Sequence, residues 1–364
     1  MNKEIERLKM LSLKKLKEKA RDIKSNLPQD EKKVISYSKN FTLALSNYCE
    51  NQCGYCFFNY KVPKLSGEGN VILLDNTQMV RIIQKALQFN CKEALIMSGE
   101  HPDSFKEVKD EMEAMGCSDY IEFVKDICNY LLDLNILPHT NIGLLSYEEM
   151  INLKNYNASM GLMLESTSME LFKQGGVHEF SPGKLPEKRI EHIKHAGELK
   201  IPFTTGLLLG IGENFDDRIK DLYLIKEIHE EYGHIQEVII QNFVYKDGIT
   251  YRPDKKLLIE EMLKLTGIAR LIFGNEIAIQ VPPNLIAGYE KDFISMGIDD
   301  FGGISPFALD YINPQNEWPQ LDHLQSICIE EGFILKERLP IYDKFITQRE
   351  FCPENIKKVI NNII

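Results

Sequence analysis

Residues 41–56 have the sequence Phe41-Thr-Leu-Ala-Leu-Ser-Asn-Tyr-Cys49-Glu-Asn-Gln-Cys53-Gly-Tyr-Cys56. The first six residues form a short apolar run that is typical of a buried β-strand. The loop that follows holds three cysteines in the spacing C-x3-C-x2-C. In (β/α) barrels the reactive groups lie just after the strands, at their C-terminal ends. We therefore interpret Phe41–Ser46 as the first strand of a series and the cysteine loop as part of an active site.

The same order of strand, loop and helix recurs over about 270 residues. Strands that alternate with helices predict a parallel sheet. Seven or eight repeats predict an α/β fold of the (β/α) TIM-type barrel, fully or nearly closed. The predicted strands are Phe41–Ser46, Glu93–Ser98, Asn141–Leu145, Met160–Glu165, Phe203–Leu208, Glu237–Gln241, Ala278–Val281 and, as the weakest pattern, Phe301–Ile304. The predicted helices include Asn76–Phe89, Ser118–Leu132, Pro186–Leu199, Phe215–Tyr232 and Leu257–Phe273.

Three parts of the chain differ in their pattern. Residues 1–38 are rich in Lys and Glu and predict a helical cap ahead of the barrel. Residues 39–318 carry the strand and helix repeats of the barrel itself. Residues 319–364 predict a C-terminal extension that packs on the barrel.

The balance of charge excludes some classes of partner. Of 364 residues, 43 are Lys or Arg and 54 are Asp or Glu, which gives a formal net charge of −11. Nucleic-acid binding depends on Lys and Arg, so an acidic chain is a poor candidate for it. No apolar run reaches the ~18 residues of a membrane span, and the first residues lack the apolar centre of a secretory signal. We expect a cytoplasmic protein that binds neither nucleic acid nor membrane.

The cysteines divide into a cluster and scattered residues. The cluster, Cys49, Cys53 and Cys56, predicts a metal site in a reducing compartment. Three thiolates can each bind a different iron of a [4Fe-4S] cluster, which leaves the fourth iron open to another ligand. The alternative is zinc, which prefers four ligands and commonly uses paired C-x2-C motifs. The five other cysteines are expected to be small buried hydrophobic residues.

The cysteine spacing, with Tyr55 just before the third cysteine, resembles the hallmark of the radical S-adenosylmethionine (SAM) superfamily. This resemblance implies that the cluster's open iron binds the amino and carboxylate groups of SAM. An electron from the cluster then cleaves SAM to methionine and a 5′-deoxyadenosyl radical. The resemblance also implies SAM-binding residues after the later strands. These are Tyr55, Gly99, Glu100, Glu165, Arg189, Gly210 and Gly212.

The physical chemistry of these residue types agrees with such roles. Glycine allows the backbone to approach a ligand closely, and the guanidinium of Arg189 could hold a carboxylate by two parallel hydrogen bonds. The alternatives remain a surface ion pair for Glu165 and Arg189, and a tight βα loop for the Gly210 turn. His178 and His192 are expected to be surface or packing residues.

Longer segments resemble one family within this superfamily, the CofG subunit of deazaflavin (FO) synthase. The resemblance covers roughly Phe41 to Tyr342, whereas residues 244–250, after the Gln241-Asn242-Phe243 opening, depart from it. The segments are Met163-Leu-Glu-Ser-Thr167, Gly176-Val-His178, Ser181-Pro-Gly-Lys184, Ile201-Pro-Phe-Thr-Thr-Gly206, Gly210-Ile-Gly-Glu213, Ile235-Gln-Glu-Val-Ile-Ile-Gln-Asn242, Gln280-Val-Pro-Pro-Asn-Leu285, Gly302-Gly-Ile-Ser-Pro306 and Glu337-Arg-Leu-Pro-Ile-Tyr342.

This closer resemblance implies a specific reaction. A CofH-type partner enzyme would supply an adduct of a tyrosine-derived hydroxybenzyl group and 5-amino-6-(D-ribitylamino)uracil. The present chain, with a flavodoxin or ferredoxin as reductant, would be a lyase. It would convert that adduct to 7,8-didemethyl-8-hydroxy-5-deazariboflavin and release ammonia. The alternatives are a related radical SAM cyclase or maturase with another substrate, and a non-catalytic iron–sulfur protein.

Polar side chains near the ends of the later strands are candidates for substrate binding. They could read the uracil edge and the ribityl hydroxyls, or they could only hold the loops by hydrogen bonds. They are Gln241, Asn242, Gln280, Asn284 and Ser305.

Overall fold

The structure, a computed structural model, describes residues 2–28, 31, 33–62 and 71–364. Its centre is a closed barrel of eight parallel strands, in which the first strand pairs with both the second and the eighth. The predicted (β/α) barrel is therefore confirmed. The strands are β1 (Val34–Ala44), β2 (Glu93–Met97), β3 (Leu137–Asn141), β4 (Ser159–Gly161), β5 (Phe203–Leu209), β6 (Ile235–Asn242), β7 (Ala278–Gln280), β8 (Asp300–Ile304) and β9 (Ile334–Glu337).

Helices connect the strands and bury their apolar faces against the barrel. Side-chain caps begin several of them: Asp75, Asp119 and Ser146 each accept a hydrogen bond from the backbone N–H three residues later, which satisfies a donor of the first turn. The helices are α1 (Asn2–Lys9), α2 (Leu13–Ser25), α3 (Asn76–Gln88), α4 (Lys106–Ala114), α5 (Tyr120–Asp133), α6 (Tyr147–Lys154), α7 (Pro186–Glu198), α8 (Phe215–Tyr232), α9 (Ile259–Phe273), α10 (Glu290–Ser295), α11 (Leu321–Glu330), α12 (Asp343–Ile346) and α13 (Glu354–Ile363).

The predicted third strand is wrong by four residues, because the strand ends at Asn141 rather than beginning there. The strand contains Pro138, which is unusual because a proline cannot donate a hydrogen bond within a sheet. In the structure the Pro138 carbonyl accepts from the N–H of Ala158. Pairing with β4 begins only at His139 and Ser159. The missing N–H of Pro138 therefore leaves no acceptor on β4 without a donor.

Two other strand bounds differ from the prediction by more than two residues. β1 begins seven residues earlier than predicted, at Val34, because its polar residues Ser36 and Ser38 point to buried carboxylates rather than to solvent. β4 ends at Gly161, so Glu165 does not end a strand. Glu165 instead forms an isolated parallel bridge with Leu207 of β5.

The two ends of the chain pack on the barrel. Helix α2 lies against α9, where Leu16 contacts Gly267 so closely that a Cβ there would lie 3.0 Å from the Leu16 Cβ. Strand β9 adds to the sheet by pairing with residues 34–37 of β1. The division at residues 38 and 318 stays a prediction, although β1 begins ahead of the first of these boundaries.

Arg338 closes the N-terminal end of the barrel. Its guanidinium makes two hydrogen bonds to Asp300, of 2.6 and 2.9 Å, and one of 2.9 Å to Glu237. The Tyr342 hydroxyl donates to the same oxygen of Glu237 at 3.0 Å. Buried charges are stable only when they are paired and hydrogen-bonded, and this cluster meets that condition. The C-terminal segment therefore completes the barrel.

Buried histidines should make the fold sensitive to acid. Burial lowers the pKa of His234 to about 3, and burial together with Arg189 lowers that of His192 to about 3. An unfolded chain takes up these protons near pH 6.5. Below that pH the unfolded state binds more protons, so stability falls as pH falls. We expect each histidine to contribute up to about 1.4 kcal/mol per pH unit to this loss.

Urea denaturation of His234→Gln measures this contribution. The variant should lose less unfolding free energy than the unaltered chain between pH 6.5 and pH 5.5. The exposed His323 provides the control, His323→Gln, which should keep the full pH dependence. An equal slope in the unaltered chain and in His234→Gln would contradict a neutral, buried His234.

A search for membrane-spanning helices over the described residues found none with the necessary length and apolar character.

Candidate active site

The three clustered cysteines lie on the loop that follows β1, at the C-terminal end of the barrel. They are half-buried free thiols, and all three line one cavity of ≈ 340 Å³. Backbone hydrogen bonds fix the loop: the Gly54 N–H donates to the Val177 carbonyl at 2.8 Å. The structure therefore presents three thiols to a single enclosed space.

The surroundings of these thiols fit an iron–sulfur cluster. Burial raises the pKa of Cys49 to about 12 and that of Cys53 to about 11, so their thiolates require a metal for stability. Among the described residues, no three His, Cys, Asp or Glu side chains are grouped to hold one metal ion. No fourth cysteine and no histidine lines the described part of the cavity. This donor set suits a [4Fe-4S] cluster, in which each thiolate binds its own iron, better than a four-ligand zinc ion.

Gly99 lies where the loop after β2 touches the cysteine loop. A Cβ at this position would lie 1.9 Å from the Tyr48 carbonyl oxygen and 2.8 Å from the Cys49 Cβ. Real side chains do not approach so closely, so only glycine fits. The N–H of the next residue, Glu100, donates to the Cys49 sulfur at 3.2 Å. This segment therefore lines the cavity with backbone and orients the first thiol.

The Glu100 carboxylate ties three loops together. It accepts hydrogen bonds from the Asn51 side chain at 2.8 Å and from the Leu144 N–H at 3.0 Å. A Cβ at Gly143 or at Gly183 would come within 2.6 or 1.5 Å of Glu100. The carboxylate is thus enclosed by glycines and fixes the cysteine loop against the loops after β3 and β4.

Glu165 is a buried carboxylate in an unusual backbone conformation. Its φ angle is +65°, which is strained for a residue other than glycine. The Tyr55 hydroxyl donates to it at 2.6 Å and the Lys184 ammonium at 2.5 Å. Although burial opposes its charge, Lys184, His178 and Arg189 hold the pKa of Glu165 well below its usual range. An ionised carboxylate therefore faces the cavity, held by the residue that precedes Cys56.

Arg189 lies on the wall of the same cavity. Its guanidinium donates to the Met163 carbonyl at 2.7 Å and to the Gly183 carbonyl at 3.2 Å, and one nitrogen lies 3.9 Å from Glu165. It is buried, so the alternative of a surface ion pair is wrong for both Glu165 and Arg189. Its role in SAM binding stays a prediction.

His178 and His192 are both buried rather than exposed. The Leu145 N–H donates to Nδ1 of His192, which explains its place in the packing. The Nε2 atom of His178 lies 3.2 Å from Glu165, but neither of its ring nitrogens has a partner with hydrogen-bond geometry among the described residues. The ring packs against Tyr55 and Phe172.

Gly210 and Gly212 line a different cavity from the cysteines, of ≈ 410 Å³. Their turn is held by Glu213, which accepts from the Gly210 N–H at 2.7 Å and forms an ion pair with Arg218. Both glycines have positive φ angles. The structure therefore shows them as parts of a tight βα turn and does not bring them to the cysteines.

A second cavity, of ≈ 180 Å³, extends from the first towards β7 and β8. Gln241 lines both cavities, whereas Gln280 and Ser305 line the second alone. The residues common to both walls are Leu95, Met97, Ile239, Gln241, Ile312 and Asn313. The two spaces therefore meet inside the barrel, and together they could hold two small molecules side by side.

The two predicted asparagines differ in position. Asn242 lines the cysteine cavity, donates to the Leu285 carbonyl at 3.3 Å and has an unpartnered side-chain oxygen. Asn284 lines neither of these two cavities. It donates to Asp310 at 3.1 Å and to the Asn316 carbonyl at 3.4 Å. Asn284 thus holds a loop, as the alternative prediction describes.

Comparison with known proteins agrees with this site. Residues 43–225 match the Radical SAM superfamily. The chain is 45% identical to the 7,8-didemethyl-8-hydroxy-5-deazariboflavin synthase of Methanocaldococcus jannaschii, over 92% of this chain and 90% of that protein. It is 42% identical to the synthase of the same name from Methanothermobacter thermautotrophicus, over 89% and 97%. The chain belongs to this deazariboflavin synthase family of radical SAM enzymes.

Solved structures show the same fold at low sequence identity. The [FeFe]-hydrogenase maturase HydG aligns with a TM-score of 0.72 and 16% identity, over 98% of this chain and 75% of that one. Methylornithine synthase aligns with a TM-score of 0.67 and 16% identity, over 93% and 94%. These likenesses support the barrel, while the sequence relatives define the deazariboflavin synthase family.

Several residues of this family member escaped the sequence analysis. Lys184 belongs to one of the segments that resemble the family, but no local pattern predicts its short contact with Glu165. Asn51 lies inside the cysteine motif and bonds to Glu100. Lys246 and Asn313 line the cysteine cavity without any spacing pattern that would mark them. Burial lowers the pKa of Lys246 to about 8.

Proposed function

We propose that this chain converts the adduct of a hydroxybenzyl group and a ribitylaminouracil to 7,8-didemethyl-8-hydroxy-5-deazariboflavin, with release of ammonia. The observation that carries the proposal is the joined pair of cavities, one lined by the three cysteines and the other by amide side chains. The first has the donors for a cluster, and the second has hydrogen-bonding groups for a polar molecule. Family membership defines the product.

The residues of the first cavity would hold the cofactors. Cys49, Cys53 and Cys56 would bind a [4Fe-4S] cluster, which with SAM supplies the 5′-deoxyadenosyl radical when both are bound. The backbone at Gly99 would face the SAM amino group. The ionised Glu165 would accept hydrogen bonds from the SAM ammonium or ribose, since its negative charge is already stabilised by its neighbours.

The second cavity would hold the ribityl and uracil groups of the adduct. Gln241, Gln280 and Ser305 present side chains that can donate and accept hydrogen bonds. The Asn242 oxygen, which is buried and unpartnered among the described residues, would accept from the ligand at the junction. A buried polar atom without a partner costs free energy, so a ligand that pairs with it gains affinity. Asn284 would act indirectly, through its loop.

The wider setting of the reaction is also part of the proposal. The adduct would come from a CofH-type partner enzyme, and a flavodoxin or ferredoxin would reduce the cluster. The reaction would take place in the cytoplasm, where thiol ligands stay reduced. The chemistry is oxidative for the adduct and is balanced by reductive cleavage of SAM.

Anaerobic reconstitution tests the proposal. The protein, with its cluster verified by iron content and absorbance, is reduced with dithionite and given SAM with or without the adduct. We expect 5′-deoxyadenosine and a fluorescent deazaflavin in the presence of the adduct. Deoxyadenosine without deazaflavin would instead indicate a related radical SAM cyclase or maturase. If a cluster-loaded protein formed neither deoxyadenosine nor deazaflavin, that result would contradict the proposal.

A further inference from the structure

Lys246 is a buried lysine without a hydrogen-bond or ion-pair partner in the described part of the chain. It is 3% exposed and lies on the segment that follows β6. Its ammonium makes no hydrogen bond or salt bridge to any described residue, and its Nζ atom lies 5.7 Å from the centre of the Phe243 ring. Its side chain lines the cysteine cavity. This ammonium lacks a hydrogen-bond acceptor among the described residues, and a ligand bound in the cavity could supply one.

Lys246 lines the cysteine cavity alone, but acidic groups of both cavities act on its charge. The acidic groups that act on its charge are Asp310 and Cys56, of which Asp310 lines the second cavity and Cys56 the first. The Asp310 carboxylate is already occupied, since it accepts from the side chains of Asn284 and Asn313 and from two backbone N–H groups. Asp310 therefore fixes the wall without neutralising Lys246 by direct contact.

The free energy of this arrangement favours a ligand with an oxygen acceptor. An ammonium in a buried site without a hydrogen-bond acceptor loses much of its solvation. A ligand oxygen that accepts from it restores that loss, and hydrogen bonds to charged groups contribute about 1.5–3 kcal/mol. Natural proteins rarely bury a lysine fully unless it is paired. The missing partner is thus an expected part of the bound state.

We infer that Lys246 is a substrate-positioning residue that donates a hydrogen bond to an oxygen of the adduct that faces the cysteine cavity. This inference rests on the proposed function, because the adduct is its ligand. The adduct offers three kinds of oxygen that can accept this hydrogen bond: the phenolic oxygen, a pyrimidine carbonyl and a ribityl hydroxyl. SAM is the less suitable partner, since its carboxylate is expected at the open iron beside the cysteines.

Steady-state kinetics of Lys246→Met in the reconstituted enzyme test the inference. We expect KM for the adduct to rise about 10- to 100-fold, which corresponds to one charged hydrogen bond. Deoxyadenosine formed per deazaflavin should also rise, because a misplaced adduct leaves SAM cleavage unproductive. Lys246→Arg, which keeps the charge, should reverse part of the increase in KM and part of the increase in deoxyadenosine per deazaflavin. Lys188→Met, at an exposed lysine on α7, is the control and should behave as the unaltered enzyme.

Substrate variants identify the oxygen. With an adduct made from a benzyl group without the phenolic hydroxyl, Lys246→Met and the unaltered enzyme should have the same KM if Lys246 binds that hydroxyl. A persistent difference would assign an oxygen of the ribitylaminouracil part, either a pyrimidine carbonyl or a ribityl hydroxyl.

Other results would overturn the inference. An unchanged KM and an unchanged product ratio in Lys246→Met would show that Lys246 does not bind the adduct. If the unaltered enzyme still formed deazaflavin, the proposed function would stand. A rise in the dissociation constant for SAM alone would assign Lys246 to the cofactor. Should Lys246→Met lose its iron, Lys246→Gln is judged by the same criteria. An unaltered enzyme that makes no deazaflavin would remove both proposals together.

Discussion

Cys53→Ala is expected to lose all SAM cleavage, with no 5′-deoxyadenosine above the level of a protein-free control. The other two thiols can bind two irons of a cluster, but the third iron then lacks a protein ligand. Cys53 lies in the middle of the loop, where the Ser181 hydroxyl donates to its sulfur at 3.3 Å. Removal of this thiol should therefore abolish cluster binding rather than only slow the reaction. Iron content and the absorbance of the reconstituted protein measure this directly.

Cys117→Ser is the matched control for this loss. Cys117 is also a half-buried free thiol, but its sulfur donates to the Asp119 carbonyl and does not line the cysteine cavity. This variant should keep its iron and its SAM cleavage. Circular dichroism should show that both variants are folded. Full iron content and full activity in Cys53→Ala would contradict the three-cysteine site.

Local sequence patterns were sufficient for most of the barrel but not for its polar interior. The apolar runs of β2, β5 and β7 marked those strands, because buried parallel strands are nearly continuous in hydrophobic residues. The start of β1 carries Ser36 and Ser38, which bond to buried carboxylates. Such residues are typical of loops, so only the tertiary pairing shows that they belong to a strand. Strand β9 was missed for a related reason, since it alternates exposed and half-buried residues.

The candidate site likewise has one part that local sequence patterns predict and another part that they do not. The cysteines are close in sequence, so their spacing alone predicts a metal site. The contact between Lys184 and Glu165 joins residues 19 positions apart, and the contact between Tyr55 and Glu165 spans 110. No local pattern encodes these distances. A role of Gly210 and Gly212 in SAM binding stays a prediction, because a glycine-rich turn next to a strand has the same sequence whether it lines a ligand or only closes a loop.

Arg338→Met is expected to lower the free energy of unfolding by about 3–5 kcal/mol at pH 7, the usual cost of breaking a buried ion pair from one side. The methionine fills part of the volume but leaves Asp300 and Glu237 without their cation, and both carboxylates are buried. The unaltered Tyr342 can still donate to Glu237, which does not compensate for two charges. Urea denaturation monitored by circular dichroism measures the loss.

The pH dependence of this loss identifies its cause. Burial raises the pKa of Glu237 to about 7 although Arg338 lowers it. Without the guanidinium this carboxyl should therefore take up a proton more readily in the folded state, which relieves its repulsion with Asp300. The destabilisation by Arg338→Met should therefore be smaller at pH 5 than at pH 7. Lys336→Met, at an exposed lysine of the preceding strand β9, is the control and should change stability by less than about 0.5 kcal/mol. A loss in Arg338→Met that is the same at both pH values would indicate lost packing, and would show that the barrel end does not depend on this charge cluster.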